Sequence, residues 1–346
     1  MSKKAWGIMF LCAMLVLATG CAAGGNQGGG ENEGGFSAGL VTDTGGINDE
    51  SFNETAWAGM KKAKKELDAD IKYLESKRDD DYNPNLTKFS REKRNIVWGV
   101  GFKFNKAIPE IAKQFPDQKF GIVDDNLGGK IPDNVVSVTF KEEEGSFLMG
   151  VIAGSMTKTD KVGFIGGITS PLIKKFEYGF RAGVKAANPK AKVTVAYAES
   201  FKDVAKGRSL AANMYNDGTD IIFHAAGGVG KGLFDEVKTR EKGKYWAIGV
   251  DMDQSGLAPD HTLSSLVKRV DVAVFDIMKD MKENDKFPGG KEVELGLKED
   301  AVVPAKTTSK HVPENVMKKV DEYKQKIVDG EIKVPSTEKE FKKYKG

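Results

Sequence analysis

The alternation of short apolar runs with amphipathic stretches, laid down in two successive series, constrains this chain more than anything else in it. Apolar runs at Phe36–Val41, Ile71–Leu74, Ile96–Val100, Phe120–Val123 and Val135–Thr139 read as strands. Helical patterns fall among them: Asn53 to Leu67, a stretch after the Asp79–Asn85 loop, and Lys106 to Gln114. A long apolar helix over Gly145–Met156 leads into the second series. There the expected strands are Lys161–Ile165, Lys192–Ala196, Asp220–His224 and Tyr245–Val250, with helices at Ile173–Ala187 and Val204–Asn216. Strands and helices of these lengths in alternation predict βαβ units and parallel sheets. The expectation is therefore two doubly wound α/β lobes. Leu263–Lys282 also reads as helical, and a polar last helix over Pro313–Gly330 is expected to pack back onto a lobe. Two lobes with late elements returning across the junction make a clamshell, which buries its ligand by closing.

The first residues read as an export signal. Lys3 and Lys4 supply its positive end, and Ala5–Ala18 its apolar stretch. That stretch is shorter than the roughly 20 residues of a membrane-spanning helix. The Leu17-Ala-Thr-Gly-Cys21 run resembles a bacterial lipobox, which implies cleavage after residue 20 and lipid attachment to Cys21. Cys12 is the other of the two cysteines and leaves with the signal, so no internal disulfide can form. Residues 22–35 are Gly-rich and polar, the composition of a flexible tether. Acyl chains at Cys21 would hold the protein on the outer face of the cell membrane. Lysine plus arginine number 53 against 50 aspartate plus glutamate, a balance that gives no footprint for nucleic acid. The lysine pairs at Lys61-Lys62, Lys64-Lys65 and Lys342-Lys343 read as solvated helix faces.

Polar groups gather where strands hand over to helices. After the first strand, Thr42 to Met60 brings Asp43, Asp49, Phe52, Asn53 and Trp57 through a Gly-Gly turn. Asp124 follows the Phe120–Val123 strand, Gly227-Gly228 follows His224, and Asp251 follows Val250. Lys268 falls early in the expected helix after Leu263, with Phe102 and Phe180 at comparable corners. In open α/β sheets the carboxyl ends of the strands are where ligands bind. Carboxylates can accept from vicinal hydroxyls or base N–H groups, and aromatic faces stack planar bases. Each residue also has a structural role open to it. Asp43, Asp49 and Asp251 could cap turns, Trp57 and Phe180 could be core, and Lys268 could lie at the surface.

Strings suggestive of catalysis fail on inspection. Ala225–Gly232 is similar to a phosphate loop but lacks its first glycine and its final hydroxyl residue. Asp251–Gly256 begins like a calcium loop, yet Thr262 stands where a bidentate glutamate belongs. The three histidines, His224, His261 and His311, are scattered, and no hydrolase string accompanies them. The sequence signals no enzyme, no cofactor and no metal.

The motif Asp43-Thr-Gly-Gly-Ile-Asn-Asp-Glu-Ser-Phe-Asn53, followed by Ala56-Trp-Ala-Gly59, resembles the basic membrane protein family of bacterial lipoproteins. These are purine nucleoside receptor-like substrate-binding proteins of nucleoside ABC transporters. Phe120-Gly-Ile-Val-Asp124, Glu144-Gly-Ser-Phe-Leu-Met-Gly150, Gly179-Phe-Arg-Ala-Gly183, Gly249-Val-Asp-Met-Asp-Gln254 and Ser265-Leu-Val-Lys268 match in order. The resemblance implies a type I periplasmic-binding-protein fold: two Rossmann-like lobes joined by a three-crossing hinge. It places residues 36–142 with about 268–298 in one lobe, and 143–267 with about 299–346 in the other. It implies a monomer that binds a purine nucleoside (inosine, guanosine or adenosine) and meets an ABC permease. Phe52 and Phe180 would then sandwich the base. Asp43, Asn53 and Asp124 would meet polar edges of the ligand, and Gly227, Asp251 and Lys268 would hold ribose hydroxyls. The alternative is a receptor or sensor for another small polar ligand, such as a sugar or a furanosyl signal.

Overall fold

A computed structural model describes residues 35–346. The signal segment 1–20, Cys21 and the tether up to its last glycine lie outside the described residues. The first series runs β1 (Ser37–Thr42), α1 (Phe52–Leu67), β2 (Asp70–Leu74), α2 (Tyr82–Arg91), β3 (Ile96–Val100), α3 (Ala107–Gln114), β4 (Phe120–Val123) and β5 (Val135–Phe140). Helix α4 (Glu142–Met156) then leads to β6 (Lys161–Gly166), α5 (Pro171–Ala187), β7 (Lys192–Tyr197), α6 (Val204–Asn216), β8 (Ile221–Ala225), α7 (Gly230–Val237), β9 (Trp246–Asp251) and β10 (Thr262–Lys268). The chain finishes with α8 (Val270–Asn284), β11 (Lys291–Leu295), β12 (Val302–Pro304), α9 (Glu314–Val328) and α10 (Glu338–Lys343).

Two six-stranded sheets result, ordered β11-β5-β4-β3-β1-β2 and β12-β10-β9-β8-β6-β7. Every pairing is parallel except β12 against β10. Central strands such as β3, β4 and β8 are buried along their whole length, which is why they read as unbroken apolar runs. The chain passes between the sheets three times: from β5 to β6, from β10 to β11, and from β11 to β12. This is the type I periplasmic-binding architecture. In each sheet the strand order reverses beside the first strand of its series, and the crevice beyond that reversal is where a doubly wound sheet takes a ligand.

Helices α4 and α5 meet backbone to backbone. A Cβ at Gly183 would lie 1.9 Å from the Phe147 carbonyl, and one at Gly150 would lie 2.2 Å from the Phe180 carbonyl. Small residues thus let two helices approach more closely than side chains allow. The polar helix α9 packs on this pair: the Tyr323 ring meets Phe147 at 5.4 Å, and its hydroxyl donates to the Ala186 carbonyl at 3.2 Å.

Leu263–Lys282 departs from the sequence expectation. Thr262–Lys268 is the strand β10, and helix begins only at Val270. Ser264 and Ser265 broke the apolar run in the sequence, yet both are buried. The Ser264 hydroxyl pairs with Thr308 Oγ1 at 2.7 Å, and Ser265 Oγ accepts from the Gln254 amide at 3.1 Å. Buried hydroxyls satisfied in this way fit a strand interior without giving it an apolar signature.

Candidate functional site

The carboxyl ends of both sets of strands converge on one cavity, with about 500 Å³ of space between atoms including its open mouth. Asp43, Gly101 and Asp124 come from the ends of β1, β3 and β4; Gly227, Asp251 and Lys268 come from the ends of β8, β9 and β10. Phe52 and Asn53 open α1, Phe176 lies in the second turn of α5, Phe102 opens a short 3-10 turn after β3, and Phe201 sits on the loop before α6. The backbone is unusual at four of these positions. Asp124 (φ 71°), Asp251 (φ 66°), Gly101 (φ 119°) and Gly227 (φ 55°) all have positive φ. Aspartate tolerates this left-handed region better than most residues, and such outliers gather at functional sites.

Asp49 organises the first jaw. Its carboxylate accepts from the backbone N–H groups of Ser51, Asn53 and Glu54 at 3.0, 2.9 and 3.1 Å, capping α1. Ser51, at the N-cap itself, is therefore free to donate its hydroxyl to Asp251 on the opposite jaw. Asn53 Nδ2 donates to Asp43 Oδ1 at 2.8 Å and to Asp49 Oδ2 at 3.0 Å. The Gly45 amide donates to the same Asp43 oxygen at 2.9 Å. Further links across the cleft are Gln254 Nε2 to the Glu50 carbonyl at 2.7 Å and a Lys231–Glu50 ion pair at 3.3 Å. Gln254 is itself held by the buried His224 at 2.9 Å. Burial pushes the His224 imidazole down to about 4, so it is neutral here.

Lys268 is the charge at the centre. It is 1% exposed, and its ammonium lies 2.6 and 2.7 Å from the Asp124 oxygens and 2.9 Å from Glu142 Oε1. The rings of Phe140, Phe52 and Phe176 stand 4.9, 5.2 and 5.7 Å from the ammonium. Burial works against this cation, but Asp124, Glu142 and Asp251 together hold it above the ordinary lysine range. Glu142 begins α4, where the helix dipole favours negative charge, and its other oxygen meets Lys175 at 3.3 Å. Burial raises the carboxyls of Asp43 and Asp251 against their hydrogen-bond donors. Four carboxylates line the cavity against this single lysine. Such a site suits a neutral, donor-rich ligand and repels an anion.

Of the residues singled out from sequence, Asp43, Phe52, Asn53, Asp124, Gly227, Asp251 and Lys268 line the cavity together. Phe180 does not. It is fully buried in the core, 5.2 Å from the Phe223 ring and 6.2 Å from Phe164. One helical turn separates it from Phe176, which does line the cavity. Lys268 ends a strand instead of starting a helix. Phe201, Phe176 and the hinge-side Glu142 escaped the sequence reading. Phe201 lies at a strand-to-helix corner, the signal that found the others. Trp57 packs against Tyr73, as a structural residue does. Among the described residues no cluster of His, Cys, Asp or Glu could hold a metal, and no helix is long and apolar enough to cross a membrane.

A family model described as "ABC transporter substrate-binding protein PnrA-like" matches residues 36–338. The CD4+ T-cell-stimulating antigen of Listeria monocytogenes is 46% identical over 318 residues, covering 87% of this chain and 88% of the relative. The ABC transporter nucleoside-binding protein BmpA of Lactococcus lactis is 38% identical over 320 residues, covering 87% and 89%. Basic membrane protein A of Borreliella burgdorferi is 38% identical over 306 residues, covering 88% and 89%. Among solved structures, an ABC transporter solute-binding protein from Aeropyrum pernix superposes with a TM-score of 0.80 at 26% identity, covering 89% of this chain and 96% of that one.

Proposed function

We propose, since this chain belongs to the PnrA-like family of ABC-transporter substrate-binding proteins, that it binds a purine nucleoside between its lobes and delivers it to an importer. Cys21 would carry the lipid that holds it on the extracytoplasmic face of the membrane. The observation that carries this reading is the make-up of the cavity. Four phenylalanines, Phe52, Phe102, Phe176 and Phe201, line it together with four carboxylates and one lysine. Flat apolar faces suit a base, and acceptors suit ribose hydroxyls and base N–H groups. A free pentose needs the acceptors but not the rings. A nucleotide would bring a phosphate into a cavity whose charge is already negative. The name of the Lactococcus lactis relative points to the same ligand class.

In this assignment Phe52 and Phe176 offer faces to the base, Phe176 taking the part given to Phe180 from sequence. Asp43 and Asn53 meet its polar edge. Asp251, Gly227 and Lys268 lie on the ribose side, with Asp124 holding Lys268. The polar groups in the cavity are nearly all buried, with Asp43 and Asp251 6% and 5% exposed. Entry therefore requires the jaws to part, breaking the Ser51–Asp251 and Gln254–Glu50 bonds. The chain itself supplies no chemistry in this account.

Mass spectrometry of freshly purified protein tests both halves of the proposal. The intact chain is expected to begin at an acylated Cys21, and gentle denaturation is expected to release a purine nucleoside. A released pentose or nucleotide would contradict the ligand assignment, and an unmodified Cys21 would contradict the anchor.

A further inference from the structure

Gln254 is seated by its own lobe so that it reaches the other. It follows β9, is 3% exposed, and lies with Glu50 and His224 outside the cavity lining. Its Oε1 accepts from the Val250 backbone N–H at 2.9 Å. That bond fixes which way the amide faces, because the flipped form would set donor against donor. His224 Nε2, also 2.9 Å from Oε1, is then the nitrogen that carries the proton. With Oε1 held twice inside its own lobe, the other end of the amide is left to face outward. Its Nε2 donates to the Glu50 carbonyl on the opposite jaw at 2.7 Å.

Both ends of this link are preset. A Cβ at Gly249 would lie 2.5 Å from Gln254 Oε1, and one at Gly230 would lie 2.0 Å from His224 Cε1, so two glycines make room for amide and imidazole. The backbone N–H of Gln254 is tied to Ser265 Oγ at 3.1 Å. On the facing jaw Glu50 stands at φ 52°, a left-handed conformation that glutamate seldom adopts and that persists only where the surroundings hold it. A bond between two groups already held in place costs little ordering entropy when it forms.

We propose that Gln254 is a clasp between the lobes, a positioning residue that sets how long the closed form lasts without touching the ligand. Every group in the link belongs to the protein, so its contribution to closure is the same whichever ligand fills the cavity. Contacts inside the cavity decide what is bound, and the clasp decides how long it stays. This inference rests on the reading that the jaws part to admit a ligand, and adds to it a group outside the cavity that resists the parting.

Two variants of the full-length chain test it. Gln254→Glu keeps Oε1 for Val250 and His224 but sets a carboxylate oxygen against the Glu50 carbonyl, and Gln254→Met removes the donor without adding charge. Both are expected to speed release of inosine and of guanosine by the same factor, about 3- to 10-fold, the range for one lost hydrogen bond, with association not slowed. Hydrogen exchange without ligand gives a second readout. Residues 45–55, on the jaw that carries no substitution, are expected to exchange faster in both variants than in wild type. A glutamine that merely supports its own lobe would loosen residues 224–256 and leave 45–55 as protected as before. That result, or unchanged release rates, would overturn the clasp. If neither nucleoside binds, the nucleoside reading fails, and exchange over 45–55 alone decides the clasp.

Discussion

Replacing Lys268 by Met is expected to lower stability by about 3–5 kcal/mol, the cost of breaking a buried ion pair by removing one partner. The ammonium is 1% exposed and lies within 3 Å of both Asp124 and Glu142. Methionine fills a similar volume but leaves Asp124 uncompensated, while Glu142 keeps only Lys175 at 3.3 Å. The loss depends on pH with a definite sign. Burial raises the Asp124 carboxyl to about 7, against the pull of Lys268, and without the lysine it rises further. A carboxyl raised above its unfolded value contributes stability that is complete below about pH 4 and lost as pH climbs through the folded value. In the variant that value is higher, so the gap from wild type widens as pH passes 7. Denaturant unfolding at about pH 5 and about pH 9 reads this directly. Combining Lys268→Met with Asp124→Asn and Glu142→Gln is expected to restore part of the loss. A loss that stays constant across this range, or no loss at all, contradicts the buried-charge account.

Phe180→Ala is expected to destabilise the fold by about 3–5 kcal/mol while leaving nucleoside affinity of the folded protein unchanged. The ring is fully buried among Phe164 and Phe223, on the helix whose glycines seat it against α4. Its removal opens a cavity in the core, away from the ligand. Phe176→Ala is expected to do the reverse, weakening nucleoside binding by about 1–3 kcal/mol, the usual worth of one base–aromatic contact, with a smaller fall in stability. Thermal unfolding and calorimetry on both variants separate the two roles. Weakened binding by folded Phe180→Ala, with Phe176→Ala unaffected, would return the stacking role to Phe180.

The contrast between these two residues shows where the sequence stopped being informative. Phe176 and Phe180 are one turn apart on the same side of α5, and periodicity treats them alike. What separates them is depth: Phe176 lies near the end of the helix that faces the cleft, and Phe180 one turn further into the core. That offset depends on how far α5 slides along α4, a tertiary property set by glycine contacts between distant segments. The two-sheet architecture was legible because buried parallel strands are written as unbroken apolar runs. Strand β10 was not, since Ser264 and Ser265 satisfy their hydroxyls inside the protein and so conceal its burial. Asp43, Asn53, Asp124 and Asp251 were legible as polar residues at strand ends. The left-handed backbone at Asp124 and Asp251 and the union of Lys268, at the end of β10 in one sheet, with Asp124, at the end of β4 in the other, were not, because both arise only on folding.

The central claim is that one cavity takes base and sugar together, and titrating inosine, ribose and hypoxanthine separately into the full-length chain tests it most directly. The account predicts one site that binds inosine tightly with a negative heat-capacity change, and neither fragment approaching that affinity. Ribose binding as tightly as inosine, or no binding of inosine at all, would contradict it.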